Sequence, residues 1–451
     1  MTQSWWLSAA PGGRTRRALL GGAVAATGAL AVACGGGSGS GAAPQATKAI
    51  GGTLTVWMPP PAFTFREGIG ADVAAQFKAA NPGLNIEAVD EGSGEKLKTT
   101  VAAGTPPDFF HTQSYWQTTW GVSGVVRSLD NYIKASSNVR PQDGWKLKWD
   151  ELTYKGKTYA VPYSIDNRII YMHKDLYQRA GLDVNKPPKT WEAFEDVIQK
   201  TNKQVAPGQL SVLGFDPFFG SGGRQRWLVP YWQLGGEFNS PDGEKITIAN
   251  EKGVAAMEWC AKLIRNQGGW DAVQAHEKTA TMDYRLFING GVANFYATLA
   301  TKAQSFAKEA PDLELPVTEY PLPKDGKPAT YAGGWALCIP TGAKNPDAAF
   351  QLMEFLYRPE IDLKWAQAYL RVPARQSVAK SVDFTRNDAF LKTTVEAMPY
   401  GRFVASIPGG EGILPIMDRV VLEIMSGAKG AAAALKEAQD LCQVEVDNLK
   451  R

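Results

Sequence analysis

The segment from Lys155 to Trp191, KGKTYAVPYSIDNRIIYMHKDLYQRAGLDVNKPPKTW, constrains the fold of this chain more than any other. Gly156 marks a tight polar turn over Tyr154–Lys157. Thr158–Val161 reads as a short strand that Pro162, with no N–H to give a ladder, brings to an end. Arg168–Tyr171 reads as a second strand, and Lys174–Ala180 as a helix stopped at Gly181. Between the strands lie Ser164, Asp166 and Asn167. A closed core has no use for a carboxylate and an amide between two apolar strands, because burying them unpaired is costly. A point where the chain passes from one lobe to another can use them.

The length fits that reading. At 451 residues the chain exceeds one ordinary core, so two domains are expected. The net charge of +3, with 21% charged residues and no dense basic block beyond the N-terminus, argues against a nucleic-acid surface. The four cysteines, Cys34, Cys260, Cys338 and Cys442, form no C-x-x-C pair, and the three histidines (111, 173 and 276) are scattered. Neither a metal site nor a cofactor is expected. Fourteen Trp, fifteen Tyr and eighteen Phe make a heavy aromatic load. Most of it must serve packing, leaving a few rings for ligand faces.

Residues 1–33 read as an export signal. Arg14, Arg16 and Arg17 precede an apolar run, Ala18–Ala33, and Thr15–Leu20 (TRRALL) is similar to a twin-arginine signal. Ala31-Val32-Ala33-Cys34 is similar to a lipobox, in which Cys34 becomes the lipidated first residue; Leu30 and Ala31 depart from its usual pattern. The run falls short of the roughly 20 residues that a spanning helix needs. Residues 34–50 read as a flexible tether. The mature protein is expected outside the cytoplasm, held to the membrane by its lipid alone.

Past the tether the pattern alternates strand and helix. Gly52–Trp57 is a strand, Ile69–Ala80 a helix ended by Asn81-Pro82-Gly83, Leu84–Val89 a strand, Gly94–Ala103 a helix and Asp108–Thr112 a strand. That order predicts an α/β unit with mainly parallel strands. Open α/β sheets take ligands at the carboxyl ends of their strands, and the stretch after Asp108 carries Tyr115, Trp116 and Trp120 there. These rings read as a ligand wall; alternatively, Trp116 and Trp120 lie on one helical face and pack inward. Thr190 is placed as the N-cap of the next helix. Ser211–Phe215 is a strand, and the loop Asp216–Arg226 (DPFFGSGGRQR) lacks nucleotide-loop spacing. Trp227, Tyr231 and Leu234 share one helical side, and Trp232 lies off it. Glu411 sits in the glycine-flanked loop Ile407–Pro415. No G-x-S-x-G, H-E-x-x-H or Cys/His nucleophile pattern occurs. A glycosidase needs only two carboxylates, and Asp166 with Glu411 would be the pair.

The opening segment, with its K-D-L-Y, A-G-L and P-P-K-T-W steps, resembles the extracytoplasmic solute-binding proteins (family 1, carbohydrate type) of bacterial ABC importers. The resemblance runs from Gly51 to the C-terminus. It implies a periplasmic-binding-protein-like fold: two α/β lobes around a ligand cleft, with three interlobe crossings (type II). The lobes would be residues 51–164 plus 336–372 and residues 165–335 plus 373–451. The first crossing is the opening segment, the second Tyr331–Pro340 and the third Tyr369–Arg375. Phe287–Tyr296 is similar to a family segment leading to a cleft-facing aromatic. Where maltose-type members then place a Trp, this chain has Ala297–Ala300. The implied function is capture of a sugar or glycoside and delivery to a membrane permease, without catalysis, by a monomer. A polyol or a glycerophosphodiester is the alternative solute. Sugars present hydroxyl rims and C–H faces, which ask for carboxylates, amides and flat rings. The expected ligand contacts are Asp166, Asn167, Trp335, Gly334, Tyr115, Trp116, Trp232, Asn294, Tyr296, Arg375 and Glu411.

Overall fold

The computed structural model describes residues 51–58, 65–216, 224–281, 283–298, 305–386, 388–404, 407 and 409–449. The export signal, Cys34, the tether and most of the Asp216–Arg226 loop lie outside the described residues.

The first strands and helices follow the alternation read from the sequence. β1 (Gly52–Met58), β2 (Leu84–Asp90) and β3 (Phe109–Gln113) are separated by helices Gly68–Ala80 and Gly94–Ala102. β1 pairs parallel with both β2 and β3. Val73 and Phe77 bury one side of the first helix, while Ala80 is exposed. Ser93 caps the second by accepting from the Lys96 N–H.

The opening segment is one strand rather than two. β4 (Thr153–Tyr154) and β5 (Lys157–Thr158) form a hairpin, turned by Lys155 and Gly156, both at positive φ. β6 then runs unbroken from Val161 to Met172. Pro162 does not end it. Over Val161–Tyr163 the named strands give β6 a neighbour on one side only, where an imino acid costs no ladder bond.

β7 (Lys203–Ala206), β8 (Gln209–Asp216), β9 (Val292–Thr298), β10 (Val317–Thr318), β11 (Thr330–Cys338) and β12 (Gly401–Arg402) complete the set. The order is β2-β1-β3-β11-β6-β9-β8-β7, with β10 on β6 and β12 on β11. β8 and β9 are parallel, and β9 is antiparallel to β6. One α/β lobe is built on β1–β3 and the other on β7–β9, and β6 and β11 run through both. Phe287 falls on the helix Asp283–Ile288 ahead of β9. The Thr190 hydroxyl accepts from the Ala193 N–H, as expected of the cap.

Two buried clusters result. The larger spans both lobes and includes Tyr163, Phe215, Trp227, Tyr231, Trp365 and Met417. The smaller lies under the first lobe's sheet and gathers Trp57, Leu97, Phe110, Trp120, Tyr159 and Cys338. Among the described residues, no helix is long and apolar enough to cross a membrane.

Candidate functional site

The crossings are built from two strands that do not fit each other residue for residue. On β11, Gly334 pairs Ile165 while the next residue, Trp335, pairs Tyr163. Ser164 is therefore an extra residue on β6, a bulge, and it adopts φ 55°. Opposite it Gly334 has φ 138°. A Cβ there would stand 2.8 Å from the Ser164 carbonyl oxygen, and one at Gly333 would stand 2.9 Å from Asp166 Oδ1. The paired glycines are the condition for this close approach. The third crossing joins the same point, where Ile165 and Val372 exchange both backbone hydrogen bonds. All three passages between the lobes thus meet around Ile165.

Asp166 is buried at this junction. Arg168 Nη1 donates to its Oδ1 at 3.2 Å and Arg371 Nη1 to its Oδ2 at 2.8 Å. The first crossing is thereby tied to the third. Arg168 also lays its guanidinium 4.6 Å from the centre of the Tyr331 ring on the second. Burial draws the Arg371 guanidinium below its ordinary range, against the pull of Asp166. His111, on β3, is wholly buried, and burial together with Arg371 lowers its pKa to about 3, so the ring is neutral. Trp335 stacks on His111, with centroids 5.1 Å apart and planes at 25°.

The other expected contacts differ in burial. Asn167 is fully buried and donates through Nδ2 to the Thr394 carbonyl. Asn294 is fully buried, accepts from the Tyr177 hydroxyl and donates to the Gly214 carbonyl. The Tyr296 hydroxyl accepts from the Tyr331 N–H. Trp232 is buried against Tyr331, with centroids 5.9 Å apart. These four pack the second lobe. Arg375 reaches the carbonyls of Asn138 and Tyr357 and the carboxylate of Asp143 (2.8 Å), fixing the chain after the third crossing.

Tyr115, Trp116 and Trp335 are half-buried. Tyr115 and Trp116 follow the carboxyl end of β3, and Trp335 lies beside it, its backbone paired with Gln113. Trp116 stands 5.3 Å from Tyr115 and 5.3 Å from Trp120. Trp120 itself is completely buried, and Trp116 packs half-buried against the same cluster, so the inward reading holds in full for Trp120 and in part for Trp116. Glu411 is not in a loop: it lies in the first turn of the helix Gly410–Met425. Its Oε1 accepts from Trp120 Nε1 at 2.5 Å and its Oε2 from Lys98 Nζ at 3.0 Å.

The sequence reading missed Arg168 and Arg371 as partners of Asp166. Arg168 had a signal, since residues two apart on a strand share a face. Arg371 had none, lying 205 positions away.

Two lobes, a triple crossing between them and half-buried rings at the carboxyl end of a strand define a two-lobed binding protein. The chain belongs to the bacterial extracellular solute-binding proteins, whose family model matches residues 72–393. It is 25% identical over 381 residues to a binding protein of Brucella abortus, covering 81% of this chain and 87% of the relative. It is 23% identical over 365 residues to the diacetylchitobiose-binding protein of Streptomyces coelicolor, covering 78% and 80%. The sugar-binding protein MalE from Xanthomonas citri superposes with a TM-score of 0.75 at 21% identity, covering 88% of this chain and 98% of that one. The family is extracytoplasmic by its description.

Proposed function

We propose that this protein captures a sugar or glycoside between its lobes and presents it to the permease of an ABC importer. The observation that carries the reading is the trio of half-buried rings, Tyr115, Trp116 and Trp335, placed where the crossing strands meet. Flat aromatic faces suit the C–H faces of a pyranose. The relatives named for diacetylchitobiose and for sugar binding support the same class. Lobe closure around the solute would shift a pre-existing equilibrium toward the form the permease engages. Hydrolysis is not favoured, because Asp166 and Glu411 are each held by basic partners.

We assign the first lobe to residues 51–164 plus 336–372 and the second to residues 165–335 plus 373–451. The bulge at Ser164, the paired glycines and the Ile165–Val372 bridge support these limits. We also propose export through a twin-arginine signal, lipidation at Cys34 and a monomeric state. Cys34→Ala should then move the protein from the membrane to the soluble fraction. Its retention at the membrane would remove the lipid anchor from the scheme.

The test of function is a thermal-shift panel of mono-, di- and oligosaccharides, polyols and glycerophosphodiesters, followed by X-ray scattering. A sugar hit should raise the melting temperature and reduce the radius of gyration. A response to polyols or phosphodiesters alone replaces the sugar class. No response to any sugar ends the carbohydrate assignment.

A further inference from the structure

We infer that Glu411 is an interlobe latch that holds the lobes together before any solute arrives. The helix Gly410–Met425 belongs to the second lobe, where it packs on helices Arg224–Gln233, Glu251–Asn266 and Ala431–Asn448. Its amino end nevertheless reaches the first lobe. Both carboxylate oxygens of Glu411 are used there, one by the Trp120 indole N–H and one by the Lys98 ammonium. The backbone N–H of Gly409 donates to the Thr119 hydroxyl at 3.2 Å, alongside the same contact.

Each partner is pre-positioned by its own lobe. Trp120 is fixed because Gly94 leaves room for its ring: a Cβ at Gly94 would stand 2.7 Å from it. Its indole N–H is the one polar atom of an otherwise core-filling side chain. Lys98 is shared between Glu95 and Glu411. Burial works against its charge, yet the two carboxylates hold its pKa above the ordinary lysine value. Gly409, at φ 94°, lets the chain turn into the helix in front of Thr119. A second and weaker contact, Lys155 to Glu244 at 3.1 Å, also bridges the lobes.

A carboxylate whose two oxygens both accept from the opposite lobe gains those bonds only when the lobes are together. A charge-assisted pair of this kind shifts an open-to-closed ratio by about tenfold. The inference rests on the two-lobed fold and not on which solute is bound, so it is tested on ligand-free protein.

Scattering and tryptophan emission are compared for wild type, Glu411→Ala, Lys98→Met and the double variant. Lys98 and Glu411 are 31% and 29% exposed, so the fold survives these changes; far-UV circular dichroism checks it. The expected result is a larger radius of gyration than the wild type's (about 21 Å for a compact chain of about 400 residues), with a red shift in emission as the Trp120 indole N–H is opened to water. The effect should be larger for Glu411→Ala than for Lys98→Met. The double variant should match Glu411→Ala, because both changes remove one shared interaction. Ligand-free variants that scatter like wild type overturn the latch. So does a double variant whose opening is the sum of the two singles.

Discussion

The residues at the crossing carry opposite demands on pH. His111 is neutral in the fold with a pKa of about 3, lowered by burial and by Arg371. The unfolded chain protonates it near pH 6.5, so between about pH 6.5 and 3 this group lowers stability as acid is added. Asp362 behaves the other way. Its carboxylate accepts from the backbone N–H groups of Ala374 and Arg375, at the end of the third crossing. Burial outweighs those bonds and raises its pKa to about 7. The folded form thus retains a proton that the unfolded chain releases near pH 4, and stability falls as the pH rises from about 4 to 7. Over roughly pH 4–6.5 the two slopes oppose each other, each at most about 1.4 kcal/mol per pH unit. Asp362→Asn should unmask acid lability in urea titrations across that range, and His111→Phe should unmask the reverse slope. Parallel slopes for both variants would refute the pairing. Gly334→Ala should cost about 2–3 kcal/mol, since the new Cβ meets the Ser164 carbonyl at a φ foreign to alanine. An unchanged urea midpoint would mean that β6 yields instead.

At the scale of elements, the Arg168–Asp166–Arg371 group is a clasp between crossings. Asp166→Asn leaves two nearly buried guanidiniums without their anion and should cost about 3–5 kcal/mol. Adding Arg371→Met should recover part of that loss; a double variant as unstable as the sum of its singles would deny the clasp. This placement sharpens what the sequence allowed. The strand and helix order of the first lobe, the Thr190 cap and the polar residues at the crossing were all legible, because they depend on local spacing. The continuity of β6 through Pro162 was not, since it depends on which neighbour a strand lacks. Asn294 and Tyr296 read as ligand groups because a polar residue on a short strand looks the same whether it meets a solute or Tyr177 and Tyr331. Trp232 likewise lay off the packed side of its helix by helical geometry. Yet it is covered by β11, an element about a hundred residues later.

For the whole molecule, the bulge at Ser164 has a mechanical meaning. β6 and β11 continue through both lobes, so the lobe closure proposed above would bend the chain where their register breaks and where Asp166 ties the first crossing to the third. The hairpin turn at Lys155 and Gly156 carries one of the contacts that such a closure would make and break. Lys155 is exposed and faces Glu244, across the lobe boundary proposed above. An environment-sensitive dye attached at this turn would change its surroundings each time the lobes part, without displacing any of the candidate ring faces. The protein therefore offers a natural attachment point for an optical sensor of its own solute, one usable for screening before the solute has a name.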